Sequence, residues 1–391
     1  MNRMTLPQAE RQLILLSAGI AARRQDMREH AGRLMAEVDW SQLAETLRLR
    51  RLLPALGPRI VELAEGRASD GFATAVDHAI EAGRRQGVFL QLVSLRVMAA
   101  LADAGIRSTP LKGPLLGEAI YGDPGRRLSS DIDLLVAPHH LHTAVQVVRG
   151  LGYEAPTDHV GQGGLPLLHF ALLHERGELP PVELHWRVHW YERSFARERL
   201  LPPTEGPVGD WRPAPADELA ALLLFYARDG FIDLRLASDL SAWWDVYGAE
   251  LPPGAFDELL RVYPALARAI PVAVKVAEKM VGLPARQIIE DMPKPGLRER
   301  MAVRLANPNP HSSQSQLYAD MGLIDGLLMP PGGFGAFVRR QVLLPREVLD
   351  ELDRHAPKRR ARSSLGRGAG MLGRYGLTMT RLALAPDKTL R

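Results

Sequence analysis

The chain of 391 residues contains no cysteine, which excludes disulfide bonds and thiolate metal sites. Its 46% hydrophobic and 24% charged residues are ordinary for a soluble globular protein, and its length accommodates two or three domains. The net charge of +4 is uneven, since residues 354–391 carry ten Lys and Arg against one acidic residue. The rest of the chain is therefore net acidic, which argues against nucleic-acid binding by the body and leaves weak anionic contact to the basic tail.

The first predicted region is helical and spans residues 8–105. Apolar residues recur there at three- and four-residue spacing with charges between them, and Gly105 is a typical helix stop. The apolar stretch 90–102 is interrupted by Arg96 and is too short for a membrane span.

An apolar stretch near the start, residues 13–22, has the composition of the hydrophobic part of a signal peptide. Glu10 lies just upstream of it and two arginines follow at once, which disfavours secretion. Together with the absence of cysteine, this predicts a cytoplasmic protein.

A mixed pattern begins at residue 106. It predicts a short helix over 114–121, a strand over 131–137, a helix over 139–152 and a strand over 182–188. This alternation indicates a small α/β core.

Helical periodicity returns over 216–290 and fades after about residue 305. We therefore predict an α+β fold in which a small mixed sheet lies between large helical segments. Its predicted parts are a helical region at 1–105, a catalytic core at 106–192, a helical domain at 193–330 and a basic, partly flexible tail at 331–391.

The segment "LSSDIDLLV" (128–136) places two aspartates two residues apart in a hydrophobic run. Side chains alternate along a strand, so Asp131 and Asp133 share one face while Ile132 and Leu134 share the other. Buried carboxylates are costly unless a cation accompanies them, and two on one face suit Mg²⁺ or Mn²⁺. The alternative is a pair of solvated carboxylates on an edge strand.

A third carboxylate is found on the next predicted strand, in "VELHW" (182–186). Glu183 lies between Val182 and Leu184, as expected for a polar residue on a half-buried strand. Three carboxylates on adjacent strands could hold two metal ions for phosphoryl or nucleotidyl transfer.

At these residues the sequence resembles the nucleotidyltransferase superfamily that includes polymerase β-like and kanamycin nucleotidyltransferase-like enzymes. It is most similar to a bacterial family of uncharacterised nucleotidyltransferases. The matching stretches are "AGIRSTPLKGPLLGEAIYGDPGRRLSSDIDLLV", "LGYE" (151–154) and "VELHW", and the resemblance extends over roughly residues 8–290.

The resemblance implies a metal-dependent transferase with a nucleotidyltransferase-type sheet. The enzyme would use an NTP, with ATP as the expected donor, and a small-molecule or protein acceptor that the sequence does not identify. Asp131, Asp133 and Glu183 would be the catalytic residues and the ligands of Mg²⁺ or Mn²⁺. Gly113 matches the glycine that opens the helix beside the phosphates.

Four further residues are implied on the nucleotide side. The usual Gly-Ser or Gly-Gly pair of the superfamily is Lys112-Gly113 here, so Lys112 could contact phosphate by charge, or be a solvated loop lysine. Arg127 matches a family arginine and is a candidate phosphate ligand, although one of Arg126 and Arg127 is expected to be a surface charge. Ser129 and Ser130 could donate hydrogen bonds to phosphate.

Three residues are candidates on the substrate side. His185 should share a face with Glu183 and either contact substrate or act as a hydrogen-bonded structural residue. Arg235 and Asp239, four apart on a predicted helix, either line the acceptor pocket or form a simple ion pair along the helix.

The sequence disfavours a zinc site. His169, His174 and His189 fit no helix-face spacing and have no cysteine to join them.

Two other functions remain open at this point. One is a non-catalytic nucleotide- or partner-binding module with the same fold. The other is a glycosyltransferase that uses Asp-x-Asp, which is disfavoured because about a hundred helical residues precede the motif.

Overall fold

The computed structural model describes residues 7–154, 168–203, 211–306, 314–335 and 337. Nearly all of the basic tail predicted at 331–391 lies outside these residues.

Most of the described chain is helical. The helices before the first strand are α1 Gln8–Ser17, α2 Ala21–Asp26, α3 Arg28–Leu34, α4 Trp40–Leu49, α5 Leu53–Ala64 and α6 Asp70–Asp103. Those in the sheet region are α7 Pro114–Tyr121 and α8 Leu141–Arg149. Those after it are α9 Pro215–Arg228, α10 Leu234–Tyr247, α11 Ala255–Val262, α12 Ala269–Val281, α13 Ala285–Ile288, α14 Leu297–Leu305 and α15 Gln314–Leu328. Single turns of 3₁₀ helix occur at Pro124–Arg126, Pro138–His140, Gly248–Glu250 and Pro264–Leu266, and a π turn at Ala196–Leu200.

The strands form one mixed five-stranded sheet. They are β1 Ser108–Pro110, β2 Ile132–Val136, β3 Tyr153–Glu154, β4 His169–His174 and β5 Val182–His185, in the spatial order β1-β2-β5-β4-β3. Among the strands of the described residues, only β2 and β5 are parallel, and every other neighbouring pair is antiparallel. The predicted α+β fold with a small mixed sheet is thus confirmed.

The two strands with the candidate carboxylates are shorter than predicted. β2 begins at Ile132, so Asp131 immediately precedes the strand. β5 ends at His185 and does not continue to residue 188. Neither difference changes the alternation of side chains, because Asp133 and Glu183 both lie within their strands.

The two faces of the sheet belong to different apolar cores. Ile132, Leu134 and Val136 of β2 are at most 4% exposed and pack with Leu172, Val182 and Leu184, beneath the C-terminal half of α6 and α8. Leu135 points the other way, into the larger core formed by the helices before and after the sheet. The face that carries Asp133 is therefore turned toward this larger core.

Helix α6 corrects the prediction about residues 90–102. That stretch belongs to a helix of 34 residues whose length and composition are sufficient for a membrane span. The same helix packs against α4, α5, α7 and α8 and against β1, and ten of its residues between Phe72 and Leu101 are buried. These contacts are those of a core helix.

Glycines allow α6 to approach the loop before β2 closely. An added Cβ at Gly83 would overlap the carbonyl oxygen of Gly125, and one at Gly87 would lie 3.0 Å from the carbonyl oxygen of Pro124. A Cβ at Gly117 of α7 would lie 2.7 Å from the Cβ of Arg127. The small residues thus fix the loop 124–127, which leads directly into the aspartate segment.

We predict opposite effects of alanine at two glycines of α6. Gly83→Ala should lower the free energy of unfolding by about 1–3 kcal/mol, because the methyl group meets backbone that cannot move freely. Gly71→Ala is the matched control, since no atom of the described residues lies within 4 Å of its added Cβ. It should be neutral or raise the free energy of unfolding by up to about 1 kcal/mol. Urea unfolding measures the free energy of unfolding of both variants. Equal changes in Gly83→Ala and Gly71→Ala would contradict the close packing at Gly83.

Candidate functional site

The parallel pairing of β2 and β5 brings two of the predicted carboxylates together. Asp133 lies directly opposite Glu183 in the register, so both side chains are on the same face of the sheet. The Asp133 side chain is 4% exposed, whereas that of Glu183 is 23% exposed. One carboxylate is therefore buried and the other borders on solvent.

Two donor groups, the ammonium of Lys112 and the imidazole of His185, contact the Asp133 carboxylate. The Nζ of Lys112 lies 3.4 Å from Asp133 Oδ1, and Nε2 of His185 lies 2.8 Å from the same oxygen. The Lys112 ammonium also lies 4.5 Å from the centre of the Phe225 ring of α9. Lys112 is thus held in the site and is not a solvated loop lysine.

These contacts determine the charge of both carboxylates. Burial alone would raise the pKa of Asp133, but Lys112 and the hydrogen bond from His185 hold that pKa well below its ordinary value. For Glu183, burial alone would raise the pKa, but the neighbouring His185 and His169 outweigh it, and this pKa is also lowered. Both groups are consequently anionic at neutral pH.

A narrow cleft brings Asp131 to Asp133, Lys112 and Gly113. Gly113 precedes α7 with φ of 85° and ψ of −159°, a conformation open essentially only to glycine. The glycine therefore lets the chain turn sharply between Lys112 and a helix N-terminus.

The two serines before Asp131 have different positions. Ser129 is buried, and its hydroxyl donates a hydrogen bond of 3.0 Å to Asp131 Oδ1. Ser130 is exposed, and its Oγ lies 3.4 Å from the guanidinium of Arg51. Ser129 thus orients Asp131, while Ser130 stands at the surface of the site.

The sheet brings to the site His169, which the spacing of histidines along the chain disfavours as a metal ligand. His169 of β4 lies opposite His185, and the two rings stack with centroids 4.5 Å apart. Nε2 of His169 lies 3.5 Å and Nε2 of His185 lies 3.4 Å from the same Oε2 of Glu183. These three side chains form a group whose donor atoms all lie within 4.8 Å of one another and that could hold a metal ion.

The burial of His169 makes its ring neutral at physiological pH. Desolvation first, and then the neighbouring His185, lowers the pKa of His169 to about 4. The prediction that His185 shares a face with Glu183 is confirmed by their contact.

Arg127 occupies a buried ion pair. Its Nε donates a hydrogen bond of 2.8 Å to Oδ2 of Asp239 on α10, and both side chains are at most 4% exposed. The Tyr121 hydroxyl donates to the other oxygen of Asp239 at 3.1 Å. Arg127 therefore ties the loop before β2 to the helical region.

This pair corrects two predictions. Arg235 and Asp239 form no ion pair along α10, because Asp239 turns to Arg127 while Arg235 pairs with Asp233 at 3.1 Å. Arg126 is not a free surface charge either, since it donates to the carbonyl of Ala55. Arg235 also approaches the carbonyl oxygen of Leu128 at 3.4 Å, just before the aspartate segment.

A protein-family model described as "Uncharacterised nucleotidyltransferase" matches residues 36–282. The chain belongs to this family. The match includes the whole sheet, helices α4 to α12 and each candidate site residue. It begins at residue 36, so the predicted resemblance over 8–290 is confirmed for most of that range. Searches among curated proteins and among solved structures found no match.

Membership supports a general transferase role for the protein. Family nucleotidyltransferases use an NTP and a divalent metal in general, and the cluster supplies carboxylates of the kind such ions bind.

We predict that Arg127 is needed for stability. Arg127→Met should lower the free energy of unfolding by about 3–5 kcal/mol, because Asp239 would remain buried without its cation. Arg235→Met is the control, since its pair with Asp233 is partly exposed, and it should cost about 1 kcal/mol or less. Chemical unfolding of the two variants compares them. Equal stability of Arg127→Met and the wild type would show that the buried pair is not structural.

Proposed function

We propose that the protein transfers a nucleoside monophosphate from an NTP, with ATP as the expected donor, to a hydroxyl or phosphate acceptor, releasing pyrophosphate. The observation that carries the proposal is the register that sets Asp133 beside Glu183, with Asp131 and Lys112 at the adjoining cleft. Family membership supports the same class of reaction.

The donor set fits the divalent ion that such a reaction uses. Asp131, Asp133 and Glu183 offer hard, anionic oxygens, which match Mg²⁺ or Mn²⁺. When bound, the ion would neutralise charge on the transferred phosphate and favour ionisation of the attacking hydroxyl. We assign these three residues as its ligands.

Lys112 and Gly113 would hold the phosphates of the nucleotide. The Lys112 side chain is 14% exposed and borders the cleft, so its ammonium can reach an anion there without leaving Asp133. Gly113 adds backbone at the start of α7, where amide groups without helical partners attract phosphate. Charge and backbone together would orient the triphosphate toward the carboxylates.

Arg127 and the serines would act mainly by positioning. The Arg127 guanidinium is bound to Asp239 and is therefore not a free phosphate ligand. It would act instead by fixing the loop before β2. Ser129 holds Asp131, and exposed Ser130 is available to a phosphate oxygen.

The acceptor would approach from the side of α10. Arg235 has a side chain that is 32% exposed and lies against the backbone of Leu128, which suits contact with an anionic or polar acceptor. Asp239 is too deeply buried to contact it and would support this wall through Arg127. His185 would orient Asp133 and Glu183 from beneath.

We predict that the conservative variants Asp133→Asn and Glu183→Gln abolish transfer. Each removes one anionic ligand and should lower the transfer rate on the order of a thousandfold, since metal ligation contributes several kcal/mol to transition-state stabilisation. The assay uses ATP labelled at the α-phosphate, Mg²⁺ or Mn²⁺ and a panel of small-molecule and protein acceptors. It follows label transfer and pyrophosphate release.

Glu118→Gln is the matched control. Glu118 is an exposed carboxylate on α7 outside the cleft, so its amide should transfer at the wild-type rate. Transfer that persists in Asp133→Asn contradicts the assigned roles. ATP binding by calorimetry without transfer to any acceptor would instead favour a non-catalytic binding module.

A further inference from the structure

We infer that a cavity between α5, α7 and α10 binds a phosphate group, at three arginines that belong to no part of the candidate active site. The inference is independent of the proposed function. The ligand is free phosphate or a small phosphate monoester, because the arginines would contact only the phosphate oxygens that both share.

The cavity has a volume of about 200 Å³ and a charged lining. Its cations are Arg24, Arg59 and Arg126, and its anions are Glu62 and Asp245. Three positive and two negative charges leave the lining at +1. A water molecule takes about 30 Å³ in the liquid, so the space admits a phosphate group with a small organic substituent or several waters.

Arg126 supplies unsatisfied donors to this cavity. A guanidinium has five N–H groups, and that of Arg126 donates one hydrogen bond, of 3.1 Å, to the carbonyl oxygen of Ala55. Its Nε is buried without a hydrogen-bond partner among the described residues. A buried donor without an acceptor is costly, so an oxyanion in contact with Arg126 would stabilise this arrangement.

Arg59 brings a buried positive charge to the same cavity. Its side chain is 7% exposed, and its Nη1 donates a hydrogen bond of 2.9 Å to the Ser241 hydroxyl. Its Nη2 lies 3.6 Å from Asp245 Oδ2, which is too long for a good hydrogen bond. Burial lowers the pKa of Arg59, and the charges of Arg24 and Arg126 lower it further. The three guanidiniums thus repel one another, and a bound anion would offset that repulsion.

The two carboxylates of the lining compensate this charge only in part. Asp245 is already engaged, since its Oδ1 accepts from the backbone N–H of Ala21 at 2.7 Å and its Oδ2 accepts from Arg24 at 3.1 Å. Glu62 is exposed, and its carboxylate forms no hydrogen bond or ion pair with the described residues. Its side chain can therefore turn into solvent when an anion binds.

The lining suits a phosphate group better than a carboxylate. Guanidiniums bind oxyanions through parallel N–H donors, and a phosphate dianion offers them more charge and more acceptor oxygens. The centre of the Tyr121 ring lies 5.1 Å from the guanidinium carbon of Arg126 and 5.7 Å from that of Arg59, so the ring supports both groups. Ile120 and Ala242 add apolar wall, which suits the carbon atoms of an ester.

Phosphate titration of the full chain tests the inference. Calorimetry with inorganic phosphate and with glycerol 3-phosphate is done with a chelator present, so that metal-dependent binding at the carboxylates of the sheet does not contribute. We expect one equivalent of phosphate per chain, and acetate should bind at least tenfold more weakly because it carries a single charge. Tighter binding of the ester identifies a monoester as the ligand, and exclusion of the ester identifies free phosphate.

Two variants with opposite effects locate the binding. Arg126→Met removes the unsatisfied donor and one positive charge, so phosphate should bind at least tenfold more weakly. Glu62→Gln removes a negative charge from the lining, so phosphate should bind several-fold more tightly. The second variant changes an exposed residue and leaves the loop 124–127 intact.

Arg48→Met and Glu118→Gln are the matched controls. The Arg48 side chain on α4 is 64% exposed, and Glu118 is exposed on α7 outside the cavity. Each variant makes the same change of charge away from the cavity and should leave phosphate binding unchanged. Thermal unfolding without phosphate shows that each variant is folded.

The outcomes decide the inference separately from the proposed function. Weaker binding in Arg126→Met together with tighter binding in Glu62→Gln would support it, even if no nucleotidyl transfer is ever observed. Phosphate binding that is equal in the wild type and both variants would place the ion elsewhere on the protein and overturn it. A wild type that binds no phosphate, or that binds acetate as tightly, would overturn it as well, even if metal-dependent transfer is observed.

Discussion

The site depends on one constraint, the parallel register that places the carboxylate of Asp133 against that of Glu183. Two anionic groups side by side, one of them 4% exposed, are unfavourable without compensation. The fold provides it with the Lys112 ammonium and the His185 ring, both directed at the same oxygen of Asp133. The cluster is thus a preformed anionic centre kept in place by its immediate neighbours.

The helices hold this centre from both sides. On one side, α6 approaches the loop before β2 through glycines and so fixes the start of the aspartate segment. On the other, α10 binds the same loop through the buried pair of Arg127 and Asp239, while Phe225 of α9 covers Lys112. A short sheet with little surface of its own therefore acquires its rigidity from the long helical regions around it.

Much of the site could be predicted because it follows from local alternation. Residues two apart on one strand share a face, whatever lies beside the strand. This alternation places Glu183 with His185 and sets Asp133 on the face opposite to its apolar neighbours. Gly113 is expected from the resemblance, and the structure adds that its backbone conformation is one that only glycine accommodates.

The remainder depends on pairing between distant segments. His169 contacts Glu183 because the antiparallel register of β4 and β5 sets His169 opposite His185. The spacing of the histidines along the chain does not predict this register. The helical spacing of Arg235 and Asp239 allows an ion pair between them, but Arg127 in the loop before β2 is a more buried partner for Asp239. Likewise, the apolar stretch within α6 could not show the length of the helix to which it belongs.

The central claim is that Asp133 and Glu183 bind one metal centre beside the nucleotide phosphates. Anomalous diffraction from crystals grown with Mn²⁺ and a non-hydrolysable ATP analogue tests it most directly. The account predicts a Mn²⁺ peak within coordination distance of both carboxylates, with the phosphates at Lys112 and Gly113. A bound nucleotide with no ion at these carboxylates, or with its phosphates elsewhere on the protein, would contradict it.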